Sequence, residues 1–317
     1  MQTLPAVRKI TDTARQRVET DVMKTNRLEF GTILVATDLQ GSSSAALRYG
    51  QAIAAQHRSS LVILYVIDPI GYAFPASDPL FLETDLEARK ELKRIEEEIR
   101  LGGIDVHSVV ESGEICDRIL QSVKDHNADL LILGTKAKTK AGRTALGTIA
   151  RRLLAKCSCS ILTVPPESDS LMSTAGRWRR VLVATDFSTQ SLAAVQSAHK
   201  IVRGELLVIH ASGSGGQQEC LTCLEKLRFL APVNESHTVP VEHIAAAGDI
   251  GKLISKHARR FRADLIVLGS PSSELSSEEL SSSTVLEVIS QATCPVLCIP
   301  ALESAASLPA LKEEVSA

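Results

Sequence analysis

The chain carries one scaffold twice, which confines it to folds built from two like units of roughly 140 residues. Val35-Ala36-Thr37-Asp38 returns as Val183-Ala184-Thr185-Asp186. Ala128-Asp129-Leu130-Leu131-Ile132-Leu133-Gly134-Thr135 returns as Ala263-Asp264-Leu265-Ile266-Val267-Leu268-Gly269-Ser270. Beyond the second block the spacing is also kept, with 31 residues from Gly134 to Pro165 and 31 from Gly269 to Pro300. A duplication is its own control. Where the copies agree, the fold is asking; where they differ, one copy can have kept a chemistry that the other lost.

The 317 residues, 44% of them hydrophobic, are enough for two compact cores. A net charge of −2 argues against general attraction to nucleic acid or an anionic membrane. No apolar run approaches the ~20 residues that span a bilayer. The first thirty residues mix both signs of charge and contain no apolar signal-peptide core, so the expected compartment is the cytoplasm. Seven cysteines, an odd number, are then expected as thiols. Cys220 and Cys223 form a CxxC pair without a second pair at zinc-finger spacing, and read as packing residues. Cys159 and Cys294 fall at equivalent positions before the last strand of each copy and read as small core residues.

Residues 1–30 read as an N-terminal arm, a short docking helix or a disordered segment. The first domain is expected over 31–166, ending in Pro165-Pro166, a Ser-containing linker over 167–177, the second domain over 178–300 and a tail over 301–317. In the first copy, short β-branched apolar runs at 32–37, 61–67, 106–110, 130–133 and 161–164 read as strands. Helical patterns at 42–56, 82–101, 115–124 and 148–155 alternate with them. Leu86, Ile95 and Ile99 are the expected core contacts of the long charged helix at 82–101. The second copy repeats the order without the Pro-rich loop that follows the second strand of the first. Alternation of this kind predicts α/β architecture: two tandem, doubly wound, five-stranded parallel sheets, Rossmann-like, with strand order 3-2-1-4-5.

In such a sheet, ligands bind at the carboxyl ends of the strands where the order reverses. That puts Asp38, after strand one, beside Gly134, after strand four. An acid there can bond a ribose hydroxyl or a base amine; equally, it can serve the turn into the next helix. Gly134 is expected to turn the backbone tightly above the sheet. The loop beyond it holds Lys136, Lys138, Lys140 and Arg143 and no acid, and Gly147-Thr148 opens a helix. Glycine, cations and a helix start together describe a polyphosphate cradle.

These residues closely resemble the universal stress protein family in its tandem two-domain form, over about 31–165 and 178–300. Nucleotide-binding members of that family carry G-x2-G-x9-G-[ST] after strand four and an early A/P-x-D. This chain has Ala36-Thr37-Asp38, then Gly134, Ala137, Gly147 and Thr148. The resemblance implies ATP, with or without Mg2+, held by Ala36, Thr37, Asp38 and Val66 together with Leu133, Gly134, Lys136, Ala137, Gly147, Thr148 and Ile149. It also implies pairing of domains through their last strands, 160–164 and 295–299, within one chain or between two. Ala137 departs from the pattern: its Cβ costs ~1 kcal/mol if the loop requires φ > 0 there.

In the second copy both later glycines are serines, Pro271 removes an amide, and Glu274, Glu278 and Glu279 replace the cations. Carboxylates beside a triphosphate repel it. The motifs GxxxxGK[ST], strand-linked GxGxxG and GxSxG are absent from the sequence. The expectation is therefore a stress-response regulatory protein that binds ATP in its first domain and presents the change to a protein partner. A slow ATPase or phosphoryl-transfer enzyme, and a nucleotide-free dimerisation scaffold, stand as alternatives.

Overall fold

The computed structural model describes residues 30–39, 41–68, 79–135, 147–166, 168, 175–213, 216–232, 239–270 and 283–300. The first half runs β1 (Thr32–Thr37), α1 (Gly41–His57), β2 (Ser60–Ile67), α2 (Pro79–Leu101), β3 (Val106–Ser112), α3 (Ile115–Asp125), β4 (Leu130–Gly134), α4 (Thr148–Lys156) and β5 (Ser160–Val164). The second runs β6 (Arg180–Ala184), α5 (Thr189–Ile201), β7 (Glu205–Ser212), α6 (Gln217–Leu230), β8 (Val241–Ala247), α7 (Ile250–Phe261), β9 (Leu265–Gly269), α8 (Thr284–Gln291) and β10 (Val296–Ile299). The expected N-terminal arm and C-terminal tail lie outside the described residues, apart from Phe30.

Each half has the expected order 3-2-1-4-5 with parallel pairing, but the two sheets are one. Their ten strands follow the order β3-β2-β1-β4-β5-β10-β9-β6-β7-β8. The join is antiparallel, with Leu162 opposite Leu297 and Thr163 opposite Val296. Thr163, fully buried, also donates its hydroxyl to the Val296 carbonyl at 3.3 Å. Both β5 and β10 are apolar on both faces and would otherwise leave a bare edge. Pairing covers that edge and runs the core through both halves: Leu162 and Leu297 belong to one face, Ile161 and Val296 to the other.

The repeated Ala-Asp before strand four has a structural reason. Asp129 accepts the amides of Gly31 and Thr32 at 2.8 and 3.0 Å. Asp264 accepts those of Arg179 and Arg180 at 2.9 and 3.1 Å. In each half this carboxylate fastens the start of the first strand to its neighbour. Just before that strand stand two buried aromatics, Phe30 and Trp178.

One expected core contact is wrong. Leu86 is 53% exposed, because α2 meets the sheet through Ala88, Leu92 and Ile99, with Ile95 packed alongside. Those four positions form one helical stripe, and Leu86 falls two residues off it, on the opposite side. Cys159 and Cys294 are buried as expected.

Gly134 does not turn the chain; it is the last residue of β4 and pairs with Val164. Its counterpart Gly269 shows what glycine does at this place. A Cβ there would stand 2.7 Å from the Gln190 carbonyl carbon and 2.8 Å from the Ser191 amide nitrogen, in the first turn of α5. The requirement is space for a helix to approach the strand end. Gly269→Ala is expected to destabilise the chain by about 1 kcal/mol, read as a lower urea midpoint. Gly213→Ala, whose Cβ would meet nothing within 4 Å, is the matched control and should leave the midpoint in place.

Candidate functional site

At the carboxyl ends of β1 and β4 the first half opens into a cleft of about 330 Å3. Ala36, Thr37, Asp38, Val66, Leu133, Gly134, Gly147 and Ile149 line it, so eight of the eleven candidate residues converge there. Thr148 is exposed at the start of α4 and does not line the cleft. Lys136 and Ala137 lie outside the described residues, as do Lys138, Lys140 and Arg143. The cleft also holds Ser43, Leu64, Tyr65, Asp68, Ile115, Ile119 and Ala150, none of which was expected there.

A matching cleft of about 390 Å3 opens in the second half. Its lining repeats the first position by position: Ala184, Thr185 and Asp186 for Ala36, Thr37 and Asp38, and Ser191 for Ser43. Ala211 stands for Val66, Ile250 and Ile254 for Ile115 and Ile119, and Leu268-Gly269 for Leu133-Gly134. Ile115 and Ile250 carried a readable signal. Each follows a glycine at φ +141° or +142° and an acidic N-cap, in Gly113-Glu114-Ile115 and Gly248-Asp249-Ile250. The acid caps the helix and the isoleucine then turns into the cleft.

The shared Thr-Asp pair builds the turn into the next helix. In the first half the Leu39 amide donates to Thr37 Oγ1 at 3.0 Å. Thr37 and Ser43 hydroxyls meet at 2.8 Å, and Ser43 donates to Asp38 Oδ1 at 2.6 Å. Leu39 sits at φ +58° within this net. The second half rebuilds it: Phe187, at φ +67°, donates its amide to Thr185 Oγ1 at 2.9 Å, and Thr185 meets Ser191 at 2.8 Å. Burial opposes ionisation of Asp186, but bonds from Ser188 and Ser191 outweigh it and hold the carboxyl below the usual range. The repeated aspartate therefore has a structural duty in both halves, and repetition alone does not mark it as a ligand group.

Three features separate the clefts. Asp68 follows β2 only in the first; the second has Gly213 there. Tyr65 lines the first cleft, whereas His210 at the matching position is not in the lining of the second; its Nδ1 donates to the Thr185 carbonyl at 2.8 Å beside the Phe187 ring. The larger difference is at the helix that closes the cleft. Gly147 is the N-cap of α4, with φ −65° and ψ 160° and no side-chain bond to the helix amides. In the second half Ser283, which stands at the position of Thr148, has taken the N-cap, and α8 begins one residue later than its counterpart. Ser283 accepts the Leu286 amide on its own hydroxyl. Among the described residues, one helix start at the cleft has no side chain on its amides, and the other is closed by its own N-cap hydroxyl.

The sequence model of the Universal stress protein family matches residues 29–165 and 211–300. A universal stress protein of Methanocaldococcus jannaschii is 27% identical over 139 residues, covering 42% of this chain and 80% of its own length. One of Thermus aquaticus is 26% identical over 140 residues, covering 43% and 98%. Among solved structures, a universal stress protein from Archaeoglobus fulgidus superposes with a TM-score of 0.70 at 22% identity, over 86% of this chain and 99% of that one. One from Pseudomonas aeruginosa, described as a putative member, gives 0.59 at 16% identity, over 86% and 93%. At these identities the structural likeness speaks for the fold.

Proposed function

This chain belongs to the universal stress protein family, and from that premise we propose that it is a stress-response regulator that binds ATP in its first half. The second half acts as a degenerate pairing partner. What carries the reading is the contrast between two clefts of like lining: Gly147 brings no side chain of its own to cap the start of α4, whereas Ser283 caps α8. An uncapped helix start attracts an anion through its free amides and its dipole. The flanking sequences agree, with four cations between Gly134 and Gly147 in the first half and three carboxylates between Gly269 and Ser283 in the second.

The residues fit a nucleotide as follows. Val66, Leu133 and Ile149 supply apolar surface for the base, and Asp38 and Asp68 supply acceptors for ribose hydroxyls or the base amine. The amides behind Gly147, with Lys136 on the preceding loop, take the phosphates, and Mg2+ accompanies ATP as its counter-ion. Binding then changes the surface that a protein partner reads. Titration of the full chain with ATP and Mg2+ should give one site per chain by calorimetry, unchanged by Asp186→Ala. Absence of both heat and thermal shift at millimolar ATP would overturn the reading. Loss of binding in Asp186→Ala would overturn its assignment to the first half.

A further inference from the structure

Helix α4 ends on a pair of thiols where the fold requires only one. Cys157 is its C-cap, with φ −75° and ψ 133°, and its amide donates to the Leu153 carbonyl at 2.9 Å. Helix α8 ends the same way on Ala292, with φ −65° and ψ 142° and the amide donating to Val288 at 2.9 Å. Two residues on, Cys159 and Cys294 are both buried in the same face of the core. The second half thus closes this turn with alanine followed by a buried cysteine. The Cys157 thiol has no counterpart in the second half; it packs partly buried at the edge of the core, with its sulfur 3.4 Å from the Cys159 sulfur.

We propose that Cys157 and Cys159 are an oxidisable dithiol, in which Cys157 attacks a hydroperoxide and Cys159 resolves the product as a disulfide. The Cys157 thiolate takes the terminal peroxide oxygen; the O–O bond breaks, and the departing alkoxide or hydroxide leaves with a proton as alcohol or water. Cys157 is then a sulfenic acid. The Cys159 sulfur attacks the Cys157 sulfur, the S–O bond breaks, and the hydroxyl leaves as water with the Cys159 proton. Two thiols lose two electrons and the peroxide gains them.

Three observations support the assignment of roles. Cys157 is the more exposed of the pair, Cys159 being buried, so the oxidant meets Cys157 first. The contact with the Cys159 thiol, which can donate to a Cys157 thiolate, holds Cys157 below the ordinary thiol range; burial opposes this, and the Cys159 and Ser158 amides assist it. The same contact, with burial, pushes Cys159 upward and keeps it a thiol until Cys157 has reacted. By contrast Cys294 and Cys298 are fully enclosed and pushed up to about 12, and they serve as internal unreactive references.

The test uses the full chain, reduced, desalted, exposed to hydrogen peroxide, then alkylated in denaturant and cut with trypsin. Both cysteines fall in one peptide, residues 157–177. That peptide should appear two hydrogens lighter and unalkylated, and return to the doubly alkylated form after dithiothreitol. Cys157→Ala installs the residue that the second half already uses at this turn, so the melting temperature should hold. In that variant Cys159 should react with peroxide at least about tenfold more slowly than Cys157 does in the parent chain. A peptide that stays doubly alkylated, or that carries a sulfinic acid at Cys157 with Cys159 still free, would overturn the proposal.

Discussion

Gly147→Glu is expected to reduce ATP affinity by on the order of 100-fold or more, equivalent to about 3 kcal/mol, while the fold survives. At φ −65° and ψ 160° the backbone of Gly147 is open to any residue, and a Cβ there meets nothing within 4 Å. Exchanging glycine for a poorer N-cap costs about 1 kcal/mol, too little to unfold the chain. The carboxylate, however, stands where the phosphates are proposed to lie. Two like charges about 4 Å apart repel by about 4 kcal/mol at an effective dielectric of about 20. Calorimetry reads the affinity and differential scanning fluorimetry the fold. Gly147→Ala should bind like the parent chain. Gly147→Ser, which gives the first half a hydroxyl of the kind that caps α8, should fall between. Unaltered ATP binding in Gly147→Glu, at a normal melting temperature, would move the phosphates away from α4.

A second large effect concerns stability. Glu96 on α2 is almost wholly buried, with its side chain 7% exposed. It accepts the Ser108 amide at 3.0 Å and the Ser108 hydroxyl at 2.6 Å, joining α2 to β3, with Lys93 at 3.1 Å and Arg100 beside it. Burial disfavours its charge, but Ser108, Arg100 and Lys93 outweigh burial and hold its carboxyl down to about 2 against an ordinary 4.5. That depression corresponds to at most about 3 kcal/mol, and the exposure of Lys93 and Arg100 reduces it to about 2 kcal/mol. Because the folded carboxyl is the more acidic, this stability is complete above pH 4.5 and is lost as pH falls from 4.5 towards 2. Glu96→Gln should therefore be less stable than the parent by about 2 kcal/mol at neutral pH. The gap should narrow below pH 4.5 and close as the pH approaches about 2. Urea unfolding at several pH values measures it, and a gap that stays constant with pH would remove the ionised carboxylate from the account.

The architecture was legible from alternation and repetition because both are local. Strand runs such as Leu61 to Ile67 are apolar at successive positions, which only a sheet covered on both faces requires. The duplication showed that both halves share one order of elements along the chain, and the Ala-Thr-Asp and Leu-Gly blocks marked two strand ends of each cleft. Other cleft residues were hidden. Tyr65 and Asp68 sit at the end of a strand that pattern reading treated as core and loop. Ile115 and Ile119 read as one stripe of an amphipathic helix, and pattern alone does not separate a core stripe from the rim of a cleft. Leu86 shows the converse error, since a leucine near a helical stripe is not on it until the helix is seated.

By itself, the sequence determined that there are two copies of one α/β unit and that the loops after their fourth strands differ in charge. Both follow from composition and spacing along the chain, which need no partner. Only the tertiary structure decided that the copies fuse into one ten-stranded sheet through β5 and β10, since either strand would look the same had it paired with another molecule. It also divided the repeated residues by duty: the aspartate of Ala-Thr-Asp ties down a turn in both halves, while Gly147 and Ser283 differ in what their helix amides can reach. The reason is physical. Periodicity reports which side of an element is apolar, whereas the availability of a hydrogen-bond donor depends on what else, from anywhere in the chain, has already claimed it.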